Sequence, residues 1–275
     1  MVVKTHDAET KRGPGRSDAV LRALWGLGRT RLRGTVSILA GLLLWELLSR
    51  YLVANALFLA APSQIVGALV HLSATGELGH HIAISAAEFA LGYVLACILG
   101  IALGLFMAES EAVKQSLQPW VSGFYATPII ALAPLFILWC GIGIWSKVLV
   151  VVSLVLFPVC INTEAGLRTT SERLIEMLRS FGASRAQIFW KVSLPSAMPF
   201  ILAGLKLGIG RGLIGVVVAE LFGSRAGLGQ LISQSADSFN MPDLFAAVIV
   251  LAVAGIVMTA GFGWIERRLV PWTRD

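Results

Sequence analysis

Six long apolar stretches alternate with polar segments along the chain. A helix rises about 1.5 Å per residue, so a stretch of roughly 20 residues is long enough to cross the hydrocarbon core of a bilayer. The pattern therefore predicts an all-α, polytopic membrane protein with six transmembrane helices. The predicted spans cover residues 36–53, 84–107, 120–140, 147–163, 199–222 and 245–264.

Composition agrees with this prediction. The 275 residues are 56% hydrophobic and 14% charged, with a mean hydropathy of +0.79, whereas soluble domains are about 45–50% apolar and about 25% charged. The net charge of +6 suits a nucleic acid or an anionic membrane face. Because the basic residues lie between apolar stretches rather than in one patch, a membrane is expected and a nucleic-acid partner is not.

The positions of the basic residues orient the spans. Seventeen of the 22 Lys and Arg residues lie in segments that share one side of the membrane if there are six spans. Because cytoplasmic segments carry the excess of Lys and Arg, both termini and the loop 164–198 are predicted to be cytoplasmic. The predicted organisation is a basic N-terminal tail (1–35), one transmembrane domain (36–270) and a short C-terminal tail (271–275).

Glycine and proline mark special places in these spans. Small residues recur every four positions from Gly92 to Gly104, Gly204 to Gly212 and Gly255 to Gly263, and they serve either packing within one subunit or a dimer face. Span three contains Thr127, Pro128 and Pro134. A helix broken at this depth is either a plain kink or part of a transport route.

The loop 164–198 has strong helix signals. Thr169 to Glu172 fits a capping box, and an apolar stripe follows at Leu174, Ile175, Leu178 and Phe181. Gly182 is predicted to end this short helix.

A second short helix is predicted after that turn. Ser184 and Gln187 fit another capping box, and Pro195 and Pro199 are predicted to break the chain before span five. An amphipathic helix outside the membrane either docks in a groove of a soluble partner or lies on the bilayer surface.

The segment from Glu176 to Gly182, followed by Val192 and Leu194–Pro195, resembles the EAA loop of ABC importer permeases. The resemblance implies that this helix is the coupling helix, which sits in a cleft of a separate cytoplasmic ATPase. Glu176 would contact the ATPase and Gly182 would form the turn. The implied coupling residues are Glu176, Met177, Leu178, Arg179, Phe181, Gly182, Ala183, Ser184 and Arg185.

Further segments resemble the nitrate, sulfonate and taurine permease family, over roughly residues 36–270. They are Ala61–Ser63, Thr127–Leu135, Leu138–Gly143 and Ala219–Leu221 with Gly227–Gly229. The resemblance implies the type I ABC importer permease fold and a multi-pass location in the bacterial inner membrane. It also implies a homodimer, an extracytoplasmic binding protein, and ATP and Mg²⁺ held by the partner ATPase.

The substrate that this resemblance implies is an aliphatic sulfonate or a taurine-like anion. Nitrate, a thiamine-precursor pyrimidine and an aromatic acid are the alternatives. One departure concerns Glu88, which stands in span two where many members carry an arginine.

Charged residues inside spans are candidates for the translocation path. Each costs about 2.5–3.5 kcal/mol at the centre of a span unless it meets a partner or water. Arg211 either pairs with Glu88 or Glu46 or lines the route and attracts an anion. The candidate path residues are Thr127, Pro128, Pro134, Arg211, Glu220 and Glu88.

Motifs that are missing from the sequence narrow the function. The chain has no phosphate-binding loop of the Gly-x-x-x-x-Gly-Lys-[Ser/Thr] type, and its four histidines form no metal-ligand pattern, so we expect neither an enzyme nor a metal site. An ATP-independent secondary transporter or channel would leave the docking loop unexplained. A membrane anchor or scaffold would leave the broken span unexplained.

Overall fold

The computed structural model describes residues 34–52 and 59–271. These residues are almost entirely helical and contain no strand. The helices are α1 (34–47), α2 (Pro62–Ala74), α3 (Glu77–Glu109), α4 (Glu111–Ala126), α5 (Ala133–Cys140), α6 (Ile144–Arg168), α7 (Glu172–Ser180), α8 (Arg185–Ile188), α9 (Leu194–Gly223), α10 (Leu228–Asp237) and α11 (Met241–Leu269).

Residues 1–63 form one unit of the chain. Within it, α1 continues as a π-helical turn over Leu48–Leu52, which matches most of the first predicted span. Glu46 pairs locally, since its carboxylate lies 2.5 Å from Arg50 Nε and accepts hydrogen bonds from the amide and hydroxyl of Ser63 at 3.1 and 2.8 Å. Of the predicted tail 1–35, residues 1–33 lie outside the described residues, and residues 34–35 already belong to α1. Val53 and residues 272–275 also lie outside the described residues.

Residues 64–275 form the second unit, whose core is built around α6. Valines along α6, including Val151 and Val155, pack against Phe89 of α3 and Ile209 of α9. The glycine faces make this close approach possible. A Cβ added at Gly104 would lie 2.7 Å from the carbonyl oxygen of Cys160, so the stripes of spans two and five pack inside one protomer.

The third small-residue stripe behaves differently. A Cβ at Gly255 would meet only Leu213, at 3.2 Å, and one at Gly263 would approach only the end of Arg267. In α11 only Ala246 and Ala247 are buried. Span six therefore leaves most of its surface uncovered within the protomer.

Four continuous helices of the described residues are long and apolar enough to cross a membrane. They are α3, α6, α11 and the run Arg185–Gly223. The predicted span three is a bent pair, α4 and Ile129–Cys140, with an angle of 82° between its halves. The predicted break lies between Ala126 and Ile129.

The predicted break before span five is wrong. The chain stays helical from Arg185 to Gly223, through Pro195 and Pro199. A π-helical turn over Phe189–Ser193 comes just before Pro195, and the amide of Leu194 donates to the carbonyl of Phe189 five residues earlier. This wider turn accommodates the proline ring and its missing donor without ending the helix.

Candidate functional site

Helix α7 lies outside the hydrophobic core of the protomer. None of its residues is buried. Of the predicted apolar stripe, Ile175 and Leu178 are half-buried, while Leu174 and the adjoining Phe181 are exposed. Phe181 has 81% of its surface accessible. The protomer thus presents an apolar surface that nothing in the described chain covers.

The turn after α7 has the predicted geometry. Gly182 has a φ of +80°, which glycine adopts without a steric penalty. Its amide donates to the carbonyl of Arg179 at 2.9 Å, and the amide of Ala183 donates to that of Leu178 at 3.0 Å. These two bonds form a Schellman motif. The helix end is therefore fixed by backbone geometry and not by packing.

The start of α8 also agrees with the sequence. The hydroxyl oxygen of Ser184 accepts from the amide of Gln187 at 3.3 Å, and the side-chain oxygen of Gln187 accepts from the amide of Ser184 at 2.8 Å. The predicted capping box is confirmed. Local hydrogen bonds thus define both the end of α7 and the start of α8.

The other predicted capping box, from Thr169 to Glu172, is wrong. The hydroxyl of Thr169 donates to the carbonyl of Gly166 at 2.6 Å, so this residue ends α6. Helix α7 begins at Glu172, and the side chain of Ser171 before it accepts no capping hydrogen bond. Only residues 169–171 separate the two helices, and the preceding helix takes the first hydroxyl.

One contact joins the broken span three to the charged residue Arg211 of span five. Tyr125 lies in the last turn of α4, and its hydroxyl accepts a hydrogen bond from the guanidinium of Arg211 at 2.9 Å. The guanidinium carbon lies 4.8 Å from the centre of the tyrosine ring, within range of a cation–π interaction. Sequence reasoning missed Tyr125 because an aromatic residue in an apolar run has no distinguishing pattern.

The surface around this contact belongs to the broken span. Thr127 closes α4, its hydroxyl donating to the carbonyl of Gly123 at 2.8 Å. Pro128, Pro134 and Tyr125 are exposed, and Arg211 is half-buried. An arginine inside a span is expected to meet water or protein rather than lipid, and Tyr125 supplies a protein partner here.

Near the end of α9, the carboxylate of Glu220 accepts hydrogen bonds from Ser85 and from the loop Gly227–Gly229. We call these residues together the Glu220 site. The Ser85 hydroxyl donates to one carboxylate oxygen at 2.6 Å and the amide of Gly229 to the other at 2.5 Å. The amide of Leu228 in turn donates to Ser85 Oγ at 2.8 Å. Glu220 is completely buried.

The loop is shaped to fit that carboxylate. Gly227 has a φ of +124°, and a Cβ added at Gly229 would lie 2.5 Å from the carbonyl oxygen of Val217 and 2.8 Å from Glu220 Cβ. Only glycine fits at these two positions. His81 of α3 also holds this loop, because its Nδ1 accepts a hydrogen bond from the amide of Gly227 at 2.9 Å.

Two more buried ionisable residues lie beside Glu220. Glu88 is 4% and Lys147 is 3% exposed, and both interact electrostatically with Glu220. Of the alternatives for Arg211, pairing with Glu88 is therefore wrong. Glu88 is enclosed with Glu220 and Lys147, Glu46 pairs with Arg50, and Arg211 contacts Tyr125.

Burial divides the candidate path residues into two groups. Glu88 and Glu220 lie inside the chain, and neither side chain reaches its surface. Thr127, Pro128, Pro134 and Arg211 do reach the surface. Within the described residues, no group of three His, Cys, Asp or Glu side chains is arranged to hold a metal ion.

Comparison with known proteins identifies the family. Residues 100–275 match the family model described as "Binding-protein-dependent transport system inner membrane component". The taurine transport system permease protein of Escherichia coli is 34% identical over 260 residues, which is 92% of this chain and 94% of that one. The formylaminopyrimidine transport permease protein of Halalkalibacterium halodurans is 34% identical over 243 residues, covering 88% and 96%.

Solved structures share the fold. An inward-facing MetNI methionine ABC transporter matches with a TM-score of 0.59 at 19% identity, over 68% of this chain and 93% of that one. An amino acid ABC transporter matches with a TM-score of 0.58 at 18% identity, over 74% and 97%. The chain is therefore an all-helical membrane protein with the type I ABC permease fold, and it belongs to the family of binding-protein-dependent transport system inner membrane components.

Proposed function

We propose that this permease couples a cytoplasmic ATPase to import through α7 and the turn at Gly182. The supporting observation is that α7 exposes an apolar surface while local hydrogen bonds fix its orientation. Leu174, Met177 and Phe181 supply that surface. An amphipathic helix of this kind suits a groove on a soluble protein.

The proposed assembly is a homodimer in the bacterial inner membrane, with both termini and the segment 164–198 in the cytoplasm. Two ATPase subunits, which hold ATP and Mg²⁺, bind one α7 each, and an extracytoplasmic binding protein delivers the substrate. The coupling residues are Glu176 to Arg179 and Phe181 to Arg185. The tails 1–35 and 271–275 flank the transmembrane domain.

A pull-down from gently solubilised membranes tests the coupling role. The tagged chain is expected to bring down an ATPase, and Glu176→Lys is expected to weaken that capture about tenfold, which corresponds to roughly 1.4 kcal/mol. Asp237→Lys makes the same charge change on an exposed residue of α10 and serves as the control. Equal capture by wild type and Glu176→Lys would contradict the docking role of α7.

We further propose that Thr127, Pro128, Pro134 and Arg211 line the translocation path. The Tyr125–Arg211 contact supports this, because it joins the broken helix to a cation on the protomer surface. A cation there favours an anionic solute, so an aliphatic sulfonate or a taurine-like anion is the proposed substrate. The relatives handle different compounds, which include taurine and formylaminopyrimidine.

Uptake of radiolabelled taurine and ethanesulfonate by cells that express the complete transporter tests the path. Arg211→Ala is expected to abolish uptake while the ATPase still co-purifies. Lys206→Ala removes another cation of α9, which pairs with Glu266 at 3.2 Å, and is expected to retain uptake. Normal uptake by Arg211→Ala would refute the path role, and uptake of formylaminopyrimidine without either sulfonate would refute the substrate.

A further inference from the structure

Four charged residues form a network where α4 begins and α6 ends, which we call the Arg168 network. Arg168 lies 2.6 Å from Glu164 and 2.9 Å from Glu111, and Lys114 lies 2.9 Å from the same Glu164 oxygen. Arg168 also donates to the carbonyl of Met107, at the end of α3, at 3.2 Å. The network therefore ties the start of α4 to the end of α6.

The network adjoins the segment that carries α7. Arg168 is the last residue of α6, and residues 169–171 alone separate it from α7. Thr169 caps α6 through its bond to Gly166, so the connection begins on a closed helix end. A displacement of α7 is thus passed to Arg168 through a very short link.

Helix α4 connects this network to the Tyr125–Arg211 contact. It runs from Glu111 to Ala126 as one helix, with Pro119 inside it. With a rise of about 1.5 Å per residue, Tyr125 lies about 21 Å along the axis from Glu111. Only Val121 of α4 is buried. The helix is thus lightly embedded between two polar contacts, one at each end.

We infer that α4 is the lever between the coupling helix and the path, and that Arg168 and Glu164 are its positioning residues. This inference rests on the proposed function. Movement of α7 shifts Arg168, the ion pairs carry the start of α4 with it, and Tyr125 moves relative to Arg211. Side-chain ion pairs suit this role because pairs that are partly exposed, such as Arg168–Glu111, exchange partners at low cost.

Cysteine alkylation of the purified permease–ATPase complex in nanodiscs tests the lever. Ala126→Cys places a thiol on an exposed position next to Tyr125, in a background carrying Cys140→Ser to remove the exposed native thiol. ATP with vanadate is expected to change its reaction rate with a water-soluble maleimide by about fivefold or more, the usual scale of coupling between sites. ATP hydrolysis is measured on the same samples.

The double variant Arg168→Gln/Glu164→Gln is expected to keep ATP hydrolysis but reduce the rate change to less than about twofold. Lys206→Gln breaks a comparable ion pair away from α4 and is expected to keep the full change. Lys114→Gln removes a single pair, is expected to give an intermediate change, and replaces the double variant if that one fails to fold.

Two outcomes overturn the inference for different reasons. A full nucleotide-dependent change in both the double variant and Lys114→Gln would refute the lever while leaving the coupling role of α7 intact. Absence of any ATPase from the wild-type complex would refute the proposed function, and the lever would fall with it.

Discussion

The Glu220 site and the Arg168 network are both clusters of charged side chains, but they are built in opposite ways. Glu220 is completely buried, and its oxygens accept from Ser85 and from the amide of Gly229. The Arg168 network pairs long side chains only, whose exposure ranges from 14% for Glu164 to 60% for Glu111. One cluster is enclosed by backbone, and the other is open to solvent on its Glu111 side.

This difference indicates that the contacts of the Glu220 site are permanent, whereas those of the Arg168 network can rearrange. A buried carboxylate that loses its donors cannot find water, so breaking the site leaves unsatisfied groups. The exposed Arg168–Glu111 pair can be replaced by water at little cost. The Glu220 site is thus suited to brace α3, α9 and α10, whereas the Arg168 network is suited to change during transport.

The largest expected effects are at the Glu220 site, and the first of them concerns its glycine loop. Gly229→Ala places a Cβ against Val217 and Glu220, and such overpacking costs about 1–3 kcal/mol or more. The thermal unfolding midpoint of the purified chain in detergent is expected to fall. Gly123→Ala is the control, since a Cβ at Gly123 meets nothing within 4 Å, and an equal fall in both variants would contradict the fit described for the loop.

An effect of the same order is expected from removing the carboxylate itself. Glu220→Ala leaves the Ser85 hydroxyl and the Gly229 amide without their acceptor, at about 1–3 kcal/mol for each unsatisfied group. The loop beside it should loosen, so trypsin should cleave faster after the exposed Arg225. Glu220→Gln keeps the size of the side chain and one acceptor oxygen. Its cleavage rate should therefore lie between those of the wild type and Glu220→Ala. Unchanged cleavage in Glu220→Ala would show that the loop holds its shape without this anchor.

The smallest expected effect on stability is at the other cluster. Lys114→Gln removes one partly exposed ion pair and should change the free energy of unfolding by about 0–1 kcal/mol. Raising the ionic strength to about 1 M, where the Debye length is roughly 3 Å, should reduce even that difference. A loss as large as that of Gly229→Ala would mean that this network is also a fixed joint.

Local signals in the sequence were the most reliable guides. The turn at Gly182 and the capping box at Ser184 and Gln187 depend on neighbouring residues, and both are present as predicted. The box at Thr169 failed because two helices compete for one hydroxyl. The predicted break at Pro195 is absent because a π turn accommodates the proline within the helix. No sequence pattern predicts such a turn.

Long-range partners were beyond the sequence. The position of Arg211 in a span indicated that it needs a partner, but Tyr125 lies 86 residues away and carries no distinguishing pattern. The sequence likewise singled out Glu220 and Gly227–Gly229 without showing that the loop encloses the carboxylate. Which charges meet is decided by the packing of α3, α6 and α9, and that packing is set by glycine faces rather than by charge.

The π turn over Phe189–Ser193 sets the angular position, around the helix axis, of every residue that follows it in span five. The run Arg185–Gly223 is continuous for 39 residues, which at about 1.5 Å each makes a rod of roughly 58 Å. Each residue of a helix advances the angle by about 100°. Deleting one residue within the turn would therefore swing the whole of span five around its axis, pointing Arg211 away from Tyr125 while leaving the segment before Arg185 unchanged. The five residues of the π turn thus set the direction in which each side chain of span five points.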